Sequence, residues 1–190
     1  MSHDLDQTAL LVIDVQCGLD DPELGPRNNP NCDANVAALI AAWRSAGRPM
    51  VFVRHDSTRP DSPLRPGQPG NDFKPVVSGD PDLLVAKHTN SAFLGKPDLH
   101  AWLQGRGITG VAIAGIQTNY CCEATARMAR DLGYETLFVL DATHTFDLPA
   151  HDGGTISADE LARVTASNLQ GEVADVVMTA HLLRADESTN

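Results

Sequence analysis

Cys121 has the type and the placement for chemistry. It follows the apolar run VAIAG (Val111–Gly115) and the turn Gln117–Tyr120, and it opens a helix-like segment that runs to Leu132 and stops at Gly133. A thiol at a helix N-terminus feels a partial positive charge that favours the thiolate. Backbone amides at such a turn can also hold an oxyanion. A small buried hydrophobe at a strand–helix junction would occupy the same place, and position alone does not choose between the two. Cys122 shares a helical face with Ala126 and Ala129 and reads as packing. Asp14, in the run ALLVIDV, and Lys87, closing LLVAK, each put a charge at the end of an apolar strand. A charge there needs a partner. An Asp14–Lys87 ion pair would satisfy both, and beside a thiol the same pair is an acid/base set.

Other polar groups gather at the same edge. His55 and Asp56 follow one run, His88 follows Lys87, and His144 follows Asp141-Ala142-Thr143. The histidines read as hydrogen-bonding or pocket-lining groups. No H-x-H or H-x-x-x-H pair occurs, and no cysteine pair has zinc spacing, so neither a metal nor another cofactor is expected.

The elements that must position these residues are short apolar runs separated by amphipathic segments. The runs are Ala9–Val15, Pro49–Arg54, Leu83–Lys87, Val111–Gly115, Thr136–Leu140 and Ala174–Thr179. They are near-continuous rather than alternating, as strands covered on both faces should be. The segments between them carry helix signals. Asp33 reads as an N-cap for a helix through Ala46, Pro97-Asp98 opens one through Arg106, and Ser157 with Glu160 forms a capping box for one through Leu169. Strands alternating with helices predict a three-layer α/β/α sandwich with a mostly parallel sheet of about six strands. In such sheets, sites form outside the C-terminal strand ends. The whole chain, 1–190, reads as a single domain. The stretch 56–79 is rich in Pro, Gly and Ser and too long for an ordinary connection. It is either a disordered insert or an ordered, lid-like loop, and its departure from the candidate site's own edge favours the loop.

Composition excludes several classes. There are 25 acidic residues against 14 basic, a net charge of −11, with no Lys/Arg cluster, so nucleic acid is not an expected partner. No apolar run approaches the roughly 20 residues of a membrane span. The start, MSHDLDQTALLVIDVQ, has no secretory pattern, so a cytoplasmic protein with free thiols is expected. Cys17 and Cys32 read as bystanders.

Three motifs resemble the isochorismatase-like cysteine hydrolase superfamily, which includes nicotinamidases, N-carbamoylsarcosine amidohydrolases and ureidoacrylate hydrolases. They are ALLVIDVQ, VAKHTNSAF and AGIQTNYCCEATARMARDLGY, within a likeness running from about Thr8 to Leu183. The family pattern G-x-x-T-x-x-C is filled by Gly115, Thr118 and Cys121. The resemblance implies a triad of Asp14, Lys87 and Cys121 and a cis peptide at Ile116–Gln117. It also implies an oxyanion hole from the Gln117 and Cys121 amides. Gln16, His55, Phe93 and Tyr120 are expected to line the substrate pocket, with Ser57 facing it from the loop.

The implied reaction is hydrolysis of a C–N bond in a small amide or ureido substrate through a thioester, with Cys121 as one fast-reacting thiol at neutral pH. Nicotinamidases carry an Asp-x-His with a further His after the second strand. Here RHDSTRPDS has one His, which disfavours that activity and a metal. True isochorismatases lack the cysteine, so retention of Cys121 favours C–N hydrolysis, with isochorismatase-type vinyl ether, lactam or ester hydrolysis as the alternative. A thiol redox protein using Cys121 and Cys122, or a non-catalytic binding module, is the rival class. Family members assemble, which implies a homodimer or homotetramer.

Overall fold

The first apolar run divides its side chains between two cores. In β1 (Thr8–Ile13), Leu10 and Val12 pack on one face, and Ala9, Leu11 and Ile13 on the other. A strand with no solvent face has no reason to alternate polar and apolar residues, which is why the sequence reads as an unbroken run.

The computed structural model describes residues 3–187, with side chains placed through 184. After β1 come α1 (Cys32–Ser45), β2 (Met50–His55), β3 (Leu83–Lys87), α2 (Leu99–Gln104), β4 (Gly110–Ile116) and α3 (Glu123–Asp131). These are followed by β5 (Glu135–His144), β6 (Leu148–Pro149), β7 (Thr155–Ile156), α4 (Ala158–Leu169), β8 (Asp175–Val177) and α5 (Thr179–Glu187). Six strands form one sheet in the order β3-β2-β1-β4-β5-β8, and every neighbouring pair is parallel. One face is covered by Val36, Leu39, Ile40 and Trp43 of α1 with Leu182 of α5. The other is covered by Leu99 and Leu103 of α2, Ala126 and Ala129 of α3, and Leu169 of α4. The architecture is the expected three-layer α/β/α sandwich.

Several local readings shift. Asp33 does not cap α1. It lies inside the first turn, and its carboxylate accepts from Lys74 Nζ at 3.4 Å. The Asp98 and Ser157 caps do form, accepting from Ala101 N at 3.0 Å and Glu160 N at 3.2 Å. The helix after β4 does not start at Cys121, because a π-turn over Thr118–Cys122 precedes α3. The last run is a strand only over Asp175–Val177 and gives way to α5, and a small β6–β7 hairpin precedes α4.

The stretch 56–79 is folded against the strand ends. Lys74 N donates to Val15 O at 2.9 Å and Cys17 N to Asp72 O at 2.9 Å. Phe73 packs edge-on against Phe52. The Lys74 ammonium donates to Asp20 at 2.5 Å, so a buried cation pins the loop to the segment after β1.

The chain winds outward from β1 through β2 to β3, and from β4 through β5 to β8 the other way. The winding reverses between β1 and β4, where open α/β sheets leave a crevice at the C-terminal strand ends. The approach there is close. A Cβ on Gly115, whose φ is +132°, would lie 2.0 Å from Ile13 O. Gly115→Ala should therefore cost about 3 kcal/mol or more, from strain and overpacking together. Gly133→Ala also has positive φ but open space around it, and should cost only about 1 kcal/mol. Denaturant unfolding of the two variants checks this, and equal losses would show that the Ile13 contact relaxes freely.

Candidate active site

Asp14 follows β1 with φ +52° and its amide donates to Val53 O at 2.9 Å, so the residue turns out of the strand while still anchored to β2. Lys87 is the last residue of β3, and Cys121 lies in the π-turn after β4. Tyr120 N and Cys122 N both donate to Gln117 O, each at 3.2 Å, which closes that turn. Thr118 fixes it to β5 by donating to Thr143 Oγ1 at 2.9 Å. The Ile116–Gln117 peptide is cis.

These elements bring the three residues together. Lys87 Nζ donates to Asp14 Oδ2 at 2.5 Å and to Cys121 Sγ at 3.3 Å, and lies 3.3 Å from His55 Nδ1. Lys87 is 0% exposed and Asp14 1%, whereas Cys121 and His55 are half-buried. An ammonium has three donors and no acceptor, so all three are used. Asp14 Oδ1 is buried with no hydrogen-bond partner among the described residues.

Charge and burial set the protonation states. Burial would lower the Lys87 pKa, but Asp14 and the Cys121 sulfur outweigh it and raise it, so Lys87 stays an ammonium. Burial pushes the Asp14 pKa up, against the opposing pull of Lys87. Burial and the Asp14 charge push the Cys121 thiol up to about 12, against the opposing pull of Lys87. Burial and Asp14 thus favour the protonated thiol, and burial raises the basicity of the carboxylate. Asp14 and burial oppose the pull that Lys87 exerts toward the fast-reacting thiolate expected from the sequence.

Ligand atoms of Asp14, His55 and Cys121 lie within 4.8 Å of one another, close enough to hold a metal ion, but Lys87 Nζ already contacts all three residues. Ligand atoms of Cys32, Asp33 and His144 are similarly close, with Arg27 Nη1 3.1 Å from His144 Nε2 and 3.7 Å from Asp33.

The other expected site residues separate. Gln16 is fully buried, and its amide is spent on backbone. Nε2 donates to His55 O at 3.2 Å and Asn71 O at 2.8 Å, and Oε1 accepts from His55 N at 2.8 Å. It therefore positions His55 and the loop instead of facing a cleft. Phe93 is buried in the α2–α3 core and stacks on Tyr134 at 5.8 Å. Tyr120 is exposed beside the turn, and Ser57, expected to face the site, is buried. Gln117 Oε1 accepts from Thr145 Oγ1 at 3.3 Å. Cys122 is fully buried in the core, as its helical face implied. Two residues were not singled out from the sequence. Asn71 is buried and its Nδ2 donates to Leu64 O at 2.8 Å, and Asn90 Oδ1 is 4.0 Å from Cys121 Sγ. Asn90 lies within the VAKHTNSAF motif, which could have singled it out, whereas no sequence signal separates Asn71 from an ordinary loop asparagine.

Fold and site together define a doubly wound α/β protein with a carboxylate, an ammonium and a thiol at its switch point. The chain matches the Isochorismatase domain over residues 8–168. It is 41% identical to an isochorismatase-family protein of Chromobacterium violaceum, whose structure superposes with a TM-score of 0.93 over 99% of this chain and 97% of that one. It is 30% identical to the isochorismatase-family protein YrdC of Bacillus subtilis over 94% of this chain and 95% of that protein. It is 32% identical to Nicotinamidase 3 of Arabidopsis thaliana over 76% of each. The chain belongs to the isochorismatase family and is a hydrolase of that family. Among the described residues, no helix is long and apolar enough to cross a membrane.

The thiol's protonation makes a testable point. Asp14→Asn removes a negative neighbour and leaves Lys87 in place, so the Cys121 pKa should fall. The thiolate fraction at pH 8 then rises, about tenfold for each unit of the fall. Iodoacetamide labelling followed by mass spectrometry should be faster at Cys121 in Asp14→Asn than in the wild type. Equal or slower labelling would show that the carboxylate does not hold the proton on sulfur.

Proposed function

We propose that the protein is a cysteine-dependent amidohydrolase that cleaves the C–N bond of a small amide or ureido substrate through a thioester. The observation that carries this reading is the unpartnered Oδ1 of Asp14, in a carboxylate whose other oxygen is held by Lys87 beside the Cys121 thiol. A buried acceptor with no partner is costly at rest, and the Cys121 proton is the natural occupant of that position in the reaction.

In this mechanism the Cys121 proton passes to Asp14 Oδ1 as sulfur forms a bond to the substrate carbonyl carbon. The backbone amides of Gln117 and Cys121 donate to the oxyanion. The tetrahedral intermediate collapses, the C–N bond breaks, and the nitrogen leaves with the proton from Asp14. Water then attacks the thioester while Asp14 takes one of its protons. The C–S bond breaks, the acid departs, and the proton returns to sulfur. Lys87 remains charged throughout and balances the negative charge as it moves between carboxylate and sulfur. Splitting the reaction into two acyl transfers replaces one hard step with two easier ones. The raised basicity of Asp14 suits a carboxylate that must take a proton near neutral pH.

Amide hydrolysis is favoured over vinyl ether cleavage because a thiol is present where the carboxylate can deprotonate it. The relative named as a nicotinamidase, an amide-cleaving activity by that name, lies on the same side.

Ammonia release across a panel of small amides, ureido acids and lactams tests the reading. Cys121→Ala should lower turnover by roughly 10⁴-fold or more. Cys122→Ala should keep turnover and lose only packing stability. Turnover surviving Cys121→Ala would overturn the proposal, and a mass shift for an acylated Cys121 during turnover would support the thioester directly.

A further inference from the structure

We infer that His55 is a positioning residue of this site, a neutral imidazole locked in the Nε2–H tautomer because its Nδ1 accepts the third proton of Lys87. This deepens the proposed hydrolase reading and rests on it for its catalytic meaning, although the tautomer itself does not.

The geometry leaves one arrangement. Lys87 Nζ can only donate, and its three partners are Asp14 Oδ2, Cys121 Sγ and His55 Nδ1. The nitrogen of His55 that faces it must therefore carry a lone pair, which puts the ring proton on Nε2. Nε2 has no protein partner among the described residues. The ring is held from behind: the His55 amide donates to Gln16 Oε1, and its carbonyl accepts from Gln16 Nε2 and from Asn71 Nδ2 at 3.1 Å. That explains why a fully buried glutamine stands two residues after Asp14 and spends its whole amide on the backbone of β2 and the loop.

Two consequences follow. First, the ammonium has a fixed orientation. With only Asp14 and Cys121 as partners it could swing, and the sulfur contact is the weaker of the two; a third acceptor across the site holds Lys87 between carboxylate and thiol. Second, a neutral His55 presents a donor, and only a donor, at Nε2. A substrate group meeting that nitrogen must be an acceptor, so a carbonyl or carboxylate oxygen is the matching chemistry.

The charges around the ring agree. Burial and Lys87 lower the pKa of His55, with His88 acting in the same direction. Asp14 and Asp56 oppose them, and the Cys121 thiol is uncharged at rest. Protonating His55 would turn Nδ1 into a donor aimed at an ammonium and break the arrangement, so activity should fall as the ring charges.

Long-range proton–nitrogen NMR on the full chain labelled in its histidines reads the tautomer directly, with the His55 signals assigned by their loss in His55→Asn. At pH 7 the ring should be neutral with the proton on Nε2, and its titration midpoint should lie below that of an ordinary histidine. In Lys87→Met the midpoint should move up and the fixed tautomer should be lost. A proton on Nδ1, or a charged ring at pH 7, overturns the inference in the wild-type chain alone, with no variant needed.

For any substrate found by ammonia release, His55→Leu should lose roughly tenfold more kcat than His55→Asn, whose Oδ1 can still accept from Lys87. The His55-dependent acidic fall should vanish from the His55→Asn pH profile. Equal losses with unchanged profiles overturn the positioning role. If no panel member turns over while the Nε2–H tautomer is seen, the amidohydrolase reading fails and the Lys87–His55 contact stands.

Discussion

A lysine ammonium with no exposure to solvent is the constraint around which the site is arranged. Taking such a charge out of water costs several kcal/mol even after relaxation, and the cost is recovered only if every donor finds a partner. Lys87 finds three, on three separate segments: a carboxylate after β1, a ring at the end of β2 and a sulfur after β4. Removing one partner of such a group is strongly destabilising, so the strand ends are held in register by electrostatics as well as by backbone ladders. The same contacts set the chemistry. The ammonium opposes the rise that burial gives the Asp14 pKa, and the Asp14 charge pushes the Cys121 thiol up.

Backbone geometry makes this possible. β1 and β4 are neighbours at the point where the winding reverses, and they run so close that Gly115 has no room for a side chain. That approach brings the residue after β1 and the turn after β4 within reach of the end of β3, two strands from β1 and three from β4. On the far side, the loop over 56–79 is tied down by Lys74 and Asn71, and through Gln16 it fixes the backbone of His55. The loop therefore serves the site from behind, through positioning, whatever its outer surface does.

The net charge of −11 belongs to the chain as a whole and governs solubility more than recognition. At the site the balance differs: one ammonium, one carboxylate, a neutral thiol and a ring whose pKa is lowered. The site is thus close to neutral inside an otherwise acidic protein.

The sequence by itself determined the layers and the edge. Unbroken apolar runs between capped helices are local patterns, and they specify a parallel sheet covered on both faces. The ends of those runs point to Asp14 and Lys87, the turn after the fourth run points to Cys121, and the small helical face of Cys122 marks it as packing. Asp33 misled because a good capping residue three places into a segment looks the same whether it caps a helix or reaches a distant lysine. Gln16 and Phe93 misled because nearness in sequence to a motif does not say which way a side chain points. What the fold alone supplies is the set of contacts around Lys87 and the side of the His55 ring that faces it. Lys87 and Asp14 are 73 residues apart, and Lys87 and His55 are 32 apart. Their interaction depends on distance through space and on exclusion of water, which arise only when the strand ends meet.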